Sequence, residues 1–441
     1  MKRWAFGLAA VALLVAVMGG EKSAGAAPSV VYQARGGREL QRDLFASRVW
    51  ALGSAKYPGS VGGIRVSSGQ LVVGIVRGSR LARFVAAITA ADADHIAYRT
   101  EYVRYSYAAQ QRVGNWITAH LALLRRQGIL PSSWNPDPPA DRVAVVLQYP
   151  SDQRNLGASA GAEYRQAAAN LINREAPLPL IKVEPQFTDP IAGLPGRGAQ
   201  PSARRPANAE DGPGYDERPF FAGSQIWYTV GNHGDCTANV GVQVTASGKR
   251  EMLTAAHCSR YQKSFSYYTC ATADGSKCGY NVGPVRSLYA HDNDFALIPT
   301  SVAPRMWNDT NGNQWAVAGA AAPIAGEQVA TDAFATGATF GIPVFAAGGS
   351  GSCFRETGAG RTDHVVCNDV ILYSAKPICR PGDSGGAMVL KRGVIAYAAG
   401  IILASSRHSD GNYYCYGEQI PHILSAARLT LLTVNLGCRC G

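Results

Sequence analysis

The cysteines constrain this chain most. All ten lie at or beyond Cys236 in a sequence of 441 residues. An even number confined to one half reads as a disulfide framework laid down in an oxidising compartment. No Cys-x-x-Cys occurs, so a zinc ribbon is not expected, and no residue of the chain is assigned to a metal. The first half must fold without covalent staples, and the length suits two domains. Charged residues make up 17% and hydrophobic ones 46%, which is enough apolar material for a packed core and argues against disorder.

The amino end agrees with an oxidising destination. Met1-Lys2-Arg3 is a basic start, residues 5–20 are an apolar run too short for a membrane span, and Ala24-Gly25-Ala26 offers small residues for cleavage. Residues 1–27 are therefore expected to be a secretory signal peptide, and the mature product to be secreted. No later apolar run reaches spanning length, so no membrane partner is expected.

The formal charge of +11 is uneven. Residues 220–441 hold 16 basic against 14 acidic side chains, a net of +2, and residues 1–219 carry the remaining +9. The arginines Arg77, Arg80, Arg83, Arg99, Arg104 and Arg112 are scattered rather than run together, which reads as a solvated basic face and not as a nucleic-acid partner.

In residues 28–98 the run 71–76 reads as a strand and 80–91 as a helix, with no evident chemistry. Ser106 is placed to cap a helix to Gln127 with Val113, Ile117, Leu121 and Leu124 on one face, and Gly128 stops it. Residues 142–147 and 180–183 read as strands and 163–175 as a helix, so 99–187 form a small α+β unit. His120, among apolar neighbours, reads as a satisfied core histidine. Residues 188–219 are rich in Pro, Gly and Arg and read as a linker open to processing.

Beyond residue 220, short alternating segments with Gly/Asn/Asp turns suit an all-β barrel. Three motifs stand out there. Pro381-Gly382-Asp383-Ser384-Gly385-Gly386 sets a serine on a glycine turn. The N–H groups of Gly382 and Ser384 can point at one spot, and Gly385 and Gly386 leave room for another backbone. Leu253-Thr254-Ala255-Ala256-His257-Cys258 carries a histidine after an apolar run. Asn293-Asp294-Phe295-Ala296-Leu297-Ile298 carries a carboxylate at the start of another. Asp292, two residues earlier, would share a strand face with Asp294 and is the competing carboxylate. His291 and His233 read as surface residues. Asn308-Asp309-Thr310-Asn311-Gly312-Asn313 spaces oxygens like a calcium loop but lacks its glycine and its closing acid, so it reads as a turn.

In the order His, Asp, Ser, these motifs make residues 220–436 resemble the chymotrypsin-fold serine proteases, near the secreted bacterial branch of streptogrisins and alpha-lytic protease. The resemblance implies an all-β catalytic domain over 220–441 of two six-stranded antiparallel barrels. His257 and Asp294 would come from the first barrel and Ser384 from the second. It further implies a serine endopeptidase that needs no cofactor and acts on polypeptide substrates, with an oxyanion hole at Gly382 and Ser384. Residues 28–187 resemble a pro-region that inhibits and helps fold the enzyme, with maturation expected between Arg197 and Gly223. The chain lacks an Ile-Val-Gly-Gly-like start, so Asp383 is expected to find an internal arginine.

The resemblance pairs Cys236 with Cys258. Cys379–Cys415 would brace the substrate pocket, and Cys270–Cys278 and Cys353–Cys367 are the simplest local loops. The sequence leaves Cys438-Arg439-Cys440 open between a bond across one residue and pairing with another chain. The pocket is expected around Ile378, Leu403, Ala404 and Ser405. No acid lies there to receive Arg or Lys. Leu403-Ala404-Ser405 stands where relatives carry Ser-Gly-Gly or Ser-Trp-Gly, which removes a hydrogen bond near the aspartate and narrows the pocket toward small or medium apolar side chains. The competing class is a non-catalytic binding protein on a protease scaffold, with the N-terminal half as an adhesive module. After Pro421, the residues Ile423, Leu424, Ala427 and Leu431 are expected on one face of a closing helix.

Overall fold

The structure is a computed structural model. It describes residues 38–434 except 79, 93–94, 138–139, 150–157, 189–190, 194–195, 198–217, 229–233, 264, 271–277, 309–312, 350, 359–360 and 393–394. The expected signal peptide, most of the linker, His233, the core of the 308–313 turn and the Cys438/Cys440 tail therefore lie outside the described residues.

The first region comprises α1 (Arg38–Lys56), β1 (Val61–Ser67), β2 (Gln70–Val76), α2 (Leu81–Ala91) and β3 (Tyr98–Val103). β1 and β2 are antiparallel, whereas β2 and β3 are parallel. A parallel pair needs a crossover, and α2 supplies it. Phe45 and Val49 of α1 pack on Val73, Ile75, Phe84 and Ile88. Ile324, from far along the chain, edges this core, and the Val66 N–H donates to the Ala325 carbonyl at 2.9 Å.

The second region comprises α3 (Tyr107–Arg126), β4 (Pro131–Asp137), β5 (Arg142–Gln148), α4 (Ala158–Glu175) and β6 (Ile181–Thr188). The Ser106 hydroxyl caps α3 by accepting from the Ala109 N–H at 3.2 Å, and Gly128 ends it at a φ of +76°. Val113, Ile117 and Leu124 pack on Trp134, Val143, Val145 and Ile172. His120 stacks on Trp116, and its Nδ1 lies 2.8 Å from the Trp116 carbonyl. Two boundaries differ from expectation. β3 belongs to the first sheet rather than to the 99–187 unit. α4 starts at Ala158, five residues before the expected start, because its first residues are alanine, serine and glycine and carry no apolar period to read.

Within the expected linker lie two short strands, β7 (Ile191–Gly193) and β8 (Gly196–Arg197). After them come β9 (Phe220–Ala222), β10 (Gln225–Tyr228), β11 (Gly234–Thr237), β12 (Gly241–Val244), β13 (Arg250–Ala255), β14 (Ser266–Cys270), β15 (Cys278–Pro284), β16 (Ser287–Tyr289), β17 (Phe295–Pro299), β18 (Val302–Trp307) and β19 (Gln314–Ala320). The remainder is β20 (Gln328–Asp332), β21 (Thr339–Ala347), β22 (Cys353–Gly358), β23 (Arg361–Cys367), β24 (Asp369–Ser374), β25 (Ala387–Arg392), β26 (Ile395–Arg407), β27 (Tyr413–Gln419), α5 (Ile420–Ala426) and β28 (Leu429–Leu431).

The strands β25-β20-β21-β24-β27-β26 pair in that order, and β26 pairs back to β25, which closes a six-stranded barrel. The other barrel expected from the resemblance is two five-stranded sheets, β15-β14-β10-β11-β8 and β16-β17-β13-β12-β28. No ladder joins them among the described residues. They share one apolar core of Val242, Met252, Leu253, Tyr267, Val282 and Phe295. α5 ends at Ala426, so Leu431 is no part of its face; it lies in β28 opposite Val242 of β12.

Candidate active site

Strand register brings the first two candidate residues together. β13 and β17 are antiparallel with Ala255 opposite Phe295. The residues just outside that pair, His257 and Asp294, therefore leave the sheet at the same end. His257 opens a single 3-10 turn. Its N–H donates to Asp294 Oδ1 at 2.9 Å, and its Nδ1 bonds Asp294 Oδ2. Its Nε2 lies 2.7 Å from Ser384 Oγ. All three residues are buried. Asp292 stays outside this group, exposed and 3.0 Å from the still more exposed His291.

The turn that carries Ser384 is tied to the other side of the cleft. The Thr237 N–H donates to the Ser384 carbonyl at 2.7 Å and the Thr237 hydroxyl to the Gly382 carbonyl at 2.8 Å. The Asn239 amide donates to the carbonyls of Gly385 and Gly386 at 2.8 and 2.9 Å. Gly382 has a φ of +103° and Gly385 of +91°, where a Cβ is strained. The space beside Gly385 is filled by the Thr237 carbonyl and the Thr254 hydroxyl, and that beside Gly386 by Ala333. Those glycines thus admit neighbouring strands, not a second chain.

Asp383 also differs from expectation. Its buried carboxylate takes the N–H groups of Ala335 and Thr336 at 2.9 Å, that of Arg380 at 2.8 Å, and the Thr336 hydroxyl. Its hydrogen bonds come from backbone N–H groups and the Thr336 hydroxyl, and the charge of Arg380 favours it from nearby. Burial still pushes its carboxyl above the usual range.

The pocket candidates divide. Ile378 packs beside Cys379 in the closed barrel, and Leu403 and Ala404 are buried in the core shared with the first sheets. Leu403 contributes its backbone: its carbonyl accepts from Ser384 Oγ at 3.1 Å. Ser405 is half-buried on the edge of β26, and that edge is occupied. β7 lies antiparallel to it, with Gly193 opposite Ala404 and Ala192 opposite Ser405. β7 is flanked on its other side by β22, and β8 pairs with β11, Gly196 opposite Asp235. The chain thus lies in extended form on both sides of Ser384.

Disulfides join Cys236 to Cys258, Cys353 to Cys367 and Cys379 to Cys415. Cys270 and Cys278 oppose each other in the β14–β15 ladder, and their side chains lie outside the described residues.

Burial opposes a charge on His257, but the carboxylates of Asp294 and Glu356 outweigh it and push the imidazole up to about 9. Burial likewise works against the Asp294 charge, and the adjacent His257 more than compensates, so its carboxyl sits below the usual range. Burial and then Asp294 raise Glu356, and burial raises Glu418 well above its ordinary value. Glu418 accepts the Asp294 N–H at 3.0 Å. A charged His257 donates from both nitrogens, to Asp294 and to Ser384 Oγ, and leaves the serine proton for the Leu403 carbonyl. A neutral one accepts at Nε2, and the serine proton turns toward it. Sequence reading missed Glu356 and Glu418, which sit in strands of ordinary composition and reach the site only through sheet register. The ligand atoms of His257, Asp294 and Glu356 lie within 4.8 Å of one another, but the His257–Asp294 bond already consumes that cluster.

Residues 231–424 match the sequence model of the Trypsin family. No curated protein matches the chain. Among solved structures, it is similar to Thermobifida fusca protease A at 17% identity and a TM-score of 0.36, over 48% of this chain and 98% of that one. Nocardiopsis protease matches at 19% identity and 0.36, and Cellulomonas bogoriensis chymotrypsin at 19% and 0.35, with the same shares of each chain covered. Among the described residues, no helix is long and apolar enough to cross a membrane. Residues 231–424, which include the closed six-stranded barrel, are thus a Trypsin-family domain.

Proposed function

We propose that the chain is the precursor of a secreted serine endopeptidase with His257, Asp294 and Ser384 as its triad. The observation that carries this is the line of contacts Asp294–His257–Ser384, with 2.7 Å between His257 Nε2 and Ser384 Oγ. A serine hydroxyl is a poor nucleophile at neutral pH. His257 takes its proton as Oγ attacks the acyl carbon and then gives that proton to the leaving amine. Asp294 fixes the tautomer and stabilises the imidazolium. The N–H groups of Gly382 and Ser384 hold the oxyanion, each worth about 10²–10³ in rate. Water then cleaves the acyl-enzyme.

Polypeptides suit this site because the edges of β26 and β11 offer backbone hydrogen bonds on either side of the serine. The segments that carry Ile378, Leu403, Ala404 and Ser405 offer no acidic side chain to receive Arg or Lys, which favours small or medium apolar side chains before the scissile bond. The N-terminal half is the inhibitor of the same site: β7 and β8 occupy those edges in the uncut chain. It also serves as a folding aid, since β4 adds to β22 with Cys353 opposite Trp134. Cleavage between Arg197 and Gly223 releases it. The three disulfides fit an extracellular enzyme.

The test is casein hydrolysis by secreted, processed protein. Wild type is expected to be active, and Ser384→Ala and His257→Ala each to lose at least about 10⁴-fold. Full activity of either variant would overturn the reading.

A further inference from the structure

A second carboxylate touches the candidate base. Glu356 lies in β22, on the hairpin that Cys353–Cys367 closes. Its Oε1 is 3.6 Å from His257 Nδ1 and accepts the Tyr261 hydroxyl at 2.9 Å. The same hydroxyl lies 3.0 Å from Nδ1 of His364, on β23. One proton arrangement satisfies all of these contacts: His364 Nδ1–H donates to Tyr261, and Tyr261 donates to Glu356. Glu356 is 1% exposed and His364 6%. A carboxylate at that depth is expensive unless something charged faces it.

The groups that face this pair come from five elements. Asp294 precedes β17, Ser384 precedes β25, Tyr261 follows the 3-10 turn, His364 is on β23, and Glu418 on β27 accepts from the Asp294 N–H. The hydrogen bonds found on the Asp294 carboxylate among the described residues come from the one residue it orients, His257, through backbone N–H and ring.

We propose that Glu356 is a positioning residue for His257, a second carboxylate that helps Asp294 hold the imidazole in place and stabilise its charge. This rests on the reading of His257 as the general base. Two effects of opposite sign follow. While the base is resting, Glu356 keeps it protonated to higher pH and so delays activity. In the transition state, where His257 becomes an imidazolium, the same charge lowers the barrier.

The experiment is a histidine ¹⁵N NMR titration of the full, uncut chain carrying Ser384→Ala, with and without Glu356→Gln. Glu356→Gln is expected to move the His257 midpoint down by roughly one pH unit, as loss of a nearby opposite charge does. Glu356→Asp should recover part of that shift. In processed enzyme with an intact serine, the acid limb of kcat/KM should move down alongside, while the alkaline plateau falls several-fold. A purely structural role would lower the plateau and leave the midpoint alone. An unchanged or raised midpoint in folded Glu356→Gln protein overturns the proposal. Should that variant not fold, Tyr261→Phe removes the donor that favours the Glu356 charge. It is expected to move the midpoint in the same direction, and no movement overturns the proposal equally. The titration needs no activity, so its failure is separate from failure of the triad reading, which the Ser384→Ala and His257→Ala hydrolysis assays decide.

Discussion

Leu403 gives its backbone carbonyl to the Ser384 hydroxyl at 3.1 Å while its side chain is buried in the core. One residue thus joins the candidate nucleophile to the edge of β26, and the next two, Ala404 and Ser405, pair with β7. Whatever lies along that edge is presented to the serine.

Release of β7 should therefore open the site. β7 has a strand on each side, so the N–H of each of its residues points at a ladder. Ala192→Pro removes one such donor and crowds the neighbouring strand. The uncut variant is expected to react with a small fluorophosphonate at least tenfold faster than uncut wild type. Equal rates would show that β7 does not limit access.

The pH dependence follows from His257. Its affinity for a proton is raised to about 9 when folded, against about 6.5 when unfolded. The stabilisation it contributes is fully present below the unfolded value and is lost as pH rises through 9. The base works only when neutral, so acylation of Ser384 should climb over the same interval. Stopped-flow acylation from pH 6 to 10 checks this, and a plateau already reached at pH 7 would contradict it.

A second buried cluster joins the N-terminal half to the closed barrel. Arg42 and Arg392 both pair with Glu327, at 3.1 and 2.9 Å, and Arg392 also bonds Asp43. Burial and then Asp43 push the Glu327 carboxyl up to about 8. A carboxyl raised on folding stabilises below its unfolded value, and that contribution is lost as pH rises through 8. Glu327→Gln should thus be near neutral in urea midpoint at pH 4 and stabilising at pH 9. A destabilised variant at pH 9 would mean that the arginine pairs outweigh the desolvation.

The Cys236–Cys258 bond closes a loop of sequence separation 22 beside His257. Loop-closure entropy puts its contribution at about 3 kcal/mol. Replacing both cysteines with serine should lower unfolding free energy by that order in denaturant titrations, with further loss of activity because the turn bearing His257 is loosened.

The candidate site was legible where it is local. The turn bearing Ser384 and the runs before His257 and after Asp294 are short motifs, and the structure brings those three residues into contact. The cap at Ser106 and the stop at Gly128 were legible for the same reason. What escaped was register. Nothing in the composition of β22 shows that Glu356 will reach His257, because that depends on where a hairpin lands across a sheet. β7 and β8 escaped because strands of three and two residues carry no period and borrow their partners from elements far along the chain. Asp383 was expected to find an internal arginine because the chain lacks an Ile-Val-Gly-Gly-like start; the charge of Arg380 does favour it, but the hydrogen bonds come from the N–H groups of Ala335, Thr336 and Arg380 and from the Thr336 hydroxyl, which no motif announces.

The central claim is that Ser384 is an activated nucleophile. The most direct measurement is mass spectrometry of secreted, processed protein after reaction with a fluorophosphonate. A single adduct is expected on the peptide that contains Ser384, absent from Ser384→Ala and lost at low pH as His257 becomes charged. A folded, processed wild type that takes no label at Ser384 would contradict it.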